Sequence, residues 1–446
     1  MRRLTILLLT IGIRSLSLSA QNENQILDDQ IYSVQLTLKN HPLSFPIVGL
    51  NSALGTLVLR FDHMGDEFMD YKYTLEHCNS DWQPSELNYA EYVDGFSDDR
   101  ITNISNSFNT LTEYTHYEIA LPNRNIRWTK SGNYLLKVYD YYADKLVLVR
   151  RFVVTESLWN IDAKFVRTGL SEKKDTWHEI DFAVNLPVNT TILPRNEVGA
   201  VILQNGRWDN AIGPLTPYLN LGKTLSFDYH DKIVFPAGKE FRFFDIRMFQ
   251  YRGEGVKIID EKPDYYEVTL RTDESRLDRP LNYRVDANGK YLIQNLDRNP
   301  GFGVKSSEVS PNLDRSQLEH ISSLQDTLNN ECDYASVLFS IRQNMPLDDA
   351  DVYVFGELSD WQLKPEFKMA YSHDAQMYYC ETFLKQGYYN YQYVVLDHQS
   401  GALDLDGLEG NWFETENLYT ILIYYKSFGE RYDRIMAVNT LSNVRN

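Results

Sequence analysis

The sequence predicts an all-β protein built from tandem β-sandwich domains. Three observations lead there. The first is period-two hydrophobicity. "YKYTLEH" puts Tyr71, Tyr73 and Leu75 on one face, and "YYEVTLR" does the same with Tyr266, Val268 and Leu270. "SVLFSIR" aligns Val337, Phe339 and Ile341, and "YTILIYY" aligns Tyr419, Ile421, Ile423 and Tyr425. Alternation over five to eight residues is the mark of half-buried antiparallel strands. The second is composition: 31 tyrosines and 21 phenylalanines suit a pleated surface better than a helix. The third is punctuation. "SGNYLLKVYD" and "QGYYNYQYVVLD" each begin at a glycine turn, and strands recur at roughly ten-residue spacing with few helical patterns between them.

The 446 residues divide into three expected blocks. An N-terminal sandwich covers 21–156 and ends in "RRFVVTE". A middle β-domain covers 157–302 and includes "QNGRWDNAIGP" and "FPAGKEFRFFDIRMF". A polar stretch rich in Ser, Asn and Asp, 303–331, reads as a linker or surface insertion. A C-terminal sandwich covers 332–446.

Residues 1–20 read as a secretory signal. Arg2 and Arg3 precede the short apolar run Leu4 to Ile13, and Ser17-Leu18-Ser19-Ala20 offers a small-residue cleavage site. Cleavage there removes three arginines and takes the net charge from −18 to −21. No cysteine follows the site to carry a lipid, and no later stretch nears 18 consecutive apolar residues. The expected product is exported and not inserted in the membrane. Its acidity argues against nucleic acid and against an anionic bilayer, since both attract basic surfaces. Three cysteines do not make a disulfide scaffold. Cys332 and Cys380 are either a pair or, with Cys78, small buried hydrophobes.

Motifs for chemistry are few. "EHC" places His77 beside Cys78, but neighbours on a strand face opposite ways, and neither has a third partner in sequence. The expectation is that Cys78 packs inward and His77 takes the other face. "HEIDF" at His178 lacks a second zinc-binding histidine, and "PYLNLGKT" carries Pro217 where a phosphate loop needs glycine. "DANG" from Asp286 to Gly289 fits a tight hairpin turn better than a calcium loop. No catalytic residue, metal site or cofactor is assigned. In "GKEFRFFDIR" both faces carry apolar residues, which predicts a central strand covered on both sides. Asp245 and Arg247 lie two apart on one face, as an ion pair or as part of a docking surface.

Three tryptophans occupy turn-like settings: Trp82 in "NSDWQP", Trp208 in "NGRWDN" and Trp361 in "LSDWQL". Each is a candidate for partner binding or sugar stacking, or else folds back over a sandwich rim. In the repeated "SDWQ", Asp81 and Asp360 are expected to bond their own turn backbones.

Longer strings carry a resemblance. "YKYTLEHCNSDWQPSELNYAEYVDGF", "NSFNTLTEYTHYEIALPN" and "SGNYLLKVY" resemble the N-terminal domain of the type IX secretion system plug proteins of Bacteroidetes. "LQNGRWDNAI", "FPAGKEFRFFDIR", "ECDYASVLFSI" and "FETENLYTILIYYKSFGERYDRIMAV" extend it, in order, over nearly all of the chain after residue 20. The stretch 303–331 is longer than the family leads one to expect. The resemblance implies a non-enzymatic periplasmic protein whose partner is the outer-membrane translocon barrel, closed at its periplasmic end while it holds no cargo. A second resemblance, "DVYVFGELSDWQ" followed by "QGYYNYQYVV", is to early-set immunoglobulin-like domains of the glycogen-binding kind. It implies an immunoglobulin-like C-terminal fold. It also keeps open an exported carbohydrate-binding protein with a tryptophan platform.

Overall fold

The computed structural model describes residues 22–443 apart from 52–54, 66, 189, 191, 193, 282–285 and 298–328. The expected signal at 1–20 and most of the stretch 303–331 therefore lie outside the described residues. Within them the chain is a set of mainly antiparallel sheets packed in pairs, as the alternation predicts, with parallel pairing where Ile47–Gly49 joins Leu146–Thr155 and where Tyr266–Leu270 joins Tyr334–Arg342.

The first sandwich pairs two sheets. One runs Gln25–Ile26, Leu146–Thr155, Gly132–Asp140, Tyr71–Cys78 and Asp99–Arg100, with Ile47–Gly49 parallel to Leu146–Thr155. The other runs Ile31–Leu38, Leu57–Met64, Tyr114–Leu121 and Asn103–Asn106. Tyr71, Tyr73 and Leu75 point together into the core between them. Leu146–Thr155 does not alternate because both its faces are covered. Leu148, Phe152 and Val154 fill this core, while Val149 and Val153 pack outward against neighbouring segments.

The second sandwich is where sequence and structure part. One sheet holds Asn160–Arg167, Trp177–Asn185, Thr224–Ser226, Leu219–Leu221 and Val234–Pro236. The facing sheet holds Ile212–Leu215, Val198–Gln204, Leu418–Tyr425 and Arg434–Ser442. Strand Val198–Gln204 thus takes its neighbour from the far end of the chain, in register from Val198↔Tyr425 to Gln204↔Tyr419. Tyr419, Ile421 and Ile423 face its core on the predicted stripe. Leu422 and Tyr424, on the opposite face, pack with Val153 of the first sandwich.

The third sandwich lies between those strands in sequence. Gly387–Asp397 pairs with Arg242–Asp245, Tyr291–Ile293, Ala350–Phe355 and Leu403–Asp404. The facing sheet runs Val256–Glu261, Tyr266–Leu270, Tyr334–Arg342, Met377–Lys385 and Ala370–Ser372. Val268, Leu270, Val337, Phe339 and Ile341 meet in its core. Strand pairing therefore crosses the expected boundary between 157–302 and 332–446. The physical reason is that Val198–Gln204 and Arg242–Asp245 each need an antiparallel neighbour, and each finds it in the C-terminal block. Arg242–Asp245 is covered on both faces, by Phe339 and Tyr389 on one and Tyr388 on the other, but it ends its sheet and is not central.

Candidate functional site

The motifs singled out in the sequence converge on the joints between sandwiches. At Asn79 to Gln83 the chain turns tightly. Trp82 takes a left-handed φ of 63°, its N–H bonds Asn79, and the Asp81 carboxylate accepts from the Gln83 N–H at 2.9 Å, as expected. The turn drives the Trp82 ring inward, where only 5% remains exposed. Its ring meets that of Trp208, from the second sandwich, edge to face at 4.8 Å. The Arg151 guanidinium lies over both, at 4.4 Å and 5.7 Å from the ring centres. Burial pulls the Arg151 guanidinium down to about 10. A desolvated cation over indole is worth about 2 kcal/mol. Ser80 and Asp433 complete this joint, at 2.9 Å through the Ser80 N–H and 2.7 Å through its hydroxyl. Glu156 pairs with Arg434 nearby.

The second copy does related work at the third sandwich. Asp360 and Trp361 both take left-handed φ, 55° and 57°. Trp361 lies against Phe241 and Phe355, and Arg207 of the second sandwich sits 4.7 Å from its ring centre. Asp360 does not bond its own turn. It pairs with Arg150 of the first sandwich at 3.2 Å and with Lys364 at 2.7 Å. Burial raises the Asp360 carboxyl, but Arg150 and Lys364 outweigh it and hold it below the usual range. Gln362 donates to the Asn24 carbonyl, and the Asn24 side chain accepts from the Arg151 N–H. Asn24 thus bonds both Gln362 of the second turn and Arg151, the residue that covers Trp82 of the first. "DANG" is a tight turn with left-handed Asn288 and Gly289, and a Cβ on Gly289 would meet the Trp361 ring at 2.2 Å. Trp82 is buried, and Trp208 and Trp361 are half-buried against the aromatic and arginine side chains of these joints.

A third joint, between the first and third sandwiches, is ionic. Asp62, fully buried, accepts from His116 Nδ1, from the Tyr334 hydroxyl and from Lys385 Nζ. Burial pushes its carboxyl up, yet Lys385 and His116 together hold it below the usual range. Asp333 caps the Leu111 and Thr112 N–H groups across the same joint, at 2.6 Å and 3.1 Å. Tyr114 donates to the Cys332 carbonyl at 2.6 Å.

His77 and Cys78 are reversed from expectation. His77 shares the inward face of Tyr71, Tyr73 and Leu75, under Tyr92, Tyr134 and Tyr432. Its Nε2 donates to the Ser131 carbonyl at 3.0 Å, and burial takes the imidazole down to about 4. Cys78 faces out of the sandwich, beneath Trp82, Leu135 and Val149, where burial pushes the thiol up to about 12. Period two puts the two on opposite faces, and the stripe of Tyr71, Tyr73 and Leu75 continues inward to His77; the neighbouring sandwich covers Cys78 on the other face. Cys332 and Cys380 are buried thiols in the third core, not a disulfide. Asp245 and Arg247 form the expected pair, two bonds at 2.9 Å and 2.6 Å. Among the described residues no cluster of three His, Cys, Asp or Glu suits a metal, and no helix is long and apolar enough to cross a membrane.

The first sandwich decides the family. Residues 31–156 match the type 9 secretion system plug protein 1st domain. The chain belongs to the type IX secretion system plug protein family. The crystal structure of a hypothetical protein from Parabacteroides merdae is similar over 94% of this chain and 99% of that one, at 30% identity and a TM-score of 0.83. The likeness spans the plug domain and both sandwiches that follow it. No curated protein matches. Plug family membership ties the chain to type IX secretion, and leaves the action of the three-sandwich body to be argued from its build.

Proposed function

We propose that this protein is a non-enzymatic accessory subunit of the type IX secretion system, exported through residues 1–20 to the periplasm. There it closes the periplasmic end of the outer-membrane translocon barrel while no cargo occupies it. Plug family membership supports this reading, and one structural observation carries it furthest. The three sandwiches are fastened pairwise by buried joints: Trp82 with Trp208, Asp62 with Lys385, and Arg207 with Trp361. A body that must hold a wide opening shut against random flexing needs such fastening, because independent domains joined by small interfaces move relative to one another. The packing of Trp361 against Phe241, Phe355 and Arg207 weighs against the carbohydrate-binding alternative.

The test is copurification. The tagged protein should capture the barrel subunit of the translocon from cells that lack the competing cargo shuttle, and should be lost as salt rises if acidic surfaces contribute. Deleting the protein should leave secretion running and the outer membrane permeable to bulky antibiotics. Absence of the barrel from the captured material, or unchanged permeability, refutes the reading.

A further inference from the structure

The two ends of the second sandwich differ. At one, the chain leaves for the third sandwich after Val234–Pro236 and returns at Leu418. The other end gathers exposed apolar side chains from four separate connections. The pairings Asn160↔Asn185, Asn185↔Thr224 and Leu221↔Thr224 bring the start of one strand and two loop ends together. Trp159 packs on Tyr425 at 5.4 Å, and Leu158 donates to the Met436 carbonyl, so the 425–434 loop of the facing sheet belongs to the same end. There Phe428 is 95% exposed, Val188 85%, Leu221 61% and Leu158 57%. Leu219 follows on the adjoining edge.

The Phe428 tip is a constructed feature. Gly429 takes a φ of +87° and the Glu430 N–H bonds the Ser427 carbonyl, which makes a tight turn with Phe428 at its corner. The Phe428 N–H donates to the Glu197 carboxylate at 3.1 Å, and Arg431 pairs with Glu91 of the first sandwich. The loop is tied on both sides while the ring stands in water. Apolar tips on several loops at one end of a sandwich are the usual build of a contact surface. The charges around them are of both signs, Glu197, Lys223, Lys426 and Glu430, as in the mixed rim of a protein interface. A lipid surface would instead favour a basic cluster, and this chain carries a net charge of −18.

We infer that this end of the second sandwich is a docking surface that sets Phe428, Val188 and Leu221 into an apolar patch on a protein partner. This rests on the proposed function, within which the partner is the translocon barrel. The experiment compares the full protein with Phe428→Ser, the double variant Phe428→Ser/Leu221→Ser, and Met345→Ser, a change at an exposed apolar side chain of the third sandwich. A photoreactive phenylalanine analogue at 428 reports the neighbour. The expected result is a cross-link to the barrel subunit and a loss of capture of at least about tenfold in the double variant. Melting curves of all variants, and capture by Met345→Ser, should match the parent. Unchanged capture by the double variant overturns the inference while the parent's own capture keeps the proposed function standing. Failure of the parent to capture the barrel overturns both. Sedimentation of the parent with phosphatidylethanolamine–phosphatidylglycerol vesicles, lost in the double variant, would make the surface a lipid one and also overturns it.

Discussion

The joint between the first and second sandwiches and the joint between the first and third solve one problem with different chemistry. The former centres on aromatic and aliphatic contact: Trp82, Trp208, Val153, Leu422 and Tyr424, with one guanidinium laid over the indoles and the Ser80–Asp433 and Glu156–Arg434 bonds beside them. The latter centres on a buried carboxylate held by an ammonium, an imidazole and a phenol. Apolar contact degrades gradually as atoms are removed. A buried ion pair does not, because the survivor is left charged in a medium that solvates it poorly. The contrast predicts one tolerant joint and one brittle joint in the same molecule.

The brittle joint should show the largest effect. Asp62→Ala is expected to cost about 4–5 kcal/mol, since Lys385 then stays buried without its partner. Urea denaturation measures it; a loss below that of a tryptophan truncation would erase the contrast. Trp82→Ala should cost about 3 kcal/mol, the usual value for emptying a buried aromatic site. The two variants should also differ in acid. The folded Asp62 carboxyl lies below its unfolded value, so its contribution is complete above about pH 4 and is lost as pH falls through the lowered value. Asp62→Ala should therefore flatten the acid limb of the stability curve, and Trp82→Ala should leave its shape alone.

Gly289→Ala sharpens the comparison at the joint between the second and third sandwiches, where Arg207 meets Trp361. Left-handed backbone and a Cβ pushed into the Trp361 ring should together cost about 2 kcal/mol, visible as a lowered melting temperature. The smallest effect concerns Glu240, in the segment that leads into the third sandwich. Burial, with Asp286 nearby, raises its carboxyl to about 7. The folded protein holds that proton more tightly than the unfolded chain. Stability should thus fall as pH rises from about 4.5 through 7, and Glu240→Gln should recover about 1 kcal/mol at pH 8. Equal stability of the parent at pH 6 and pH 8 would contradict it.

Much of this architecture is legible in local pattern. Tyr71, Tyr73 and Leu75 face the core as alternation requires, and Asp245 pairs with Arg247 two residues away. What local pattern hides is long-range. Asp62 and Lys385 are separated by 323 positions, and no property of either neighbourhood announces the other. Arg151 reads as an ordinary charge in "RRFVVTE" until its ring partners are known. The nearest signal is the lack of alternation in that strand, which marks two covered faces. The turn settings of the tryptophans mark them as special but leave the direction of their rings open. A left-handed backbone can turn a ring inward as readily as outward.

The insertion of one sandwich into another also orders events during synthesis. Strand Val198–Gln204 is made long before Leu418–Tyr425, its hydrogen-bonded neighbour. Until the ribosome has passed Tyr425, half of the second sandwich has a hydrophobic sheet edge and no lid for its core. The first sandwich can close on its own strands and the inserted one on strands no later than Leu403–Asp404. The middle of the molecule is therefore the last part to become solid, and a chain cut short before Leu418 would carry two finished sandwiches and one sticky half.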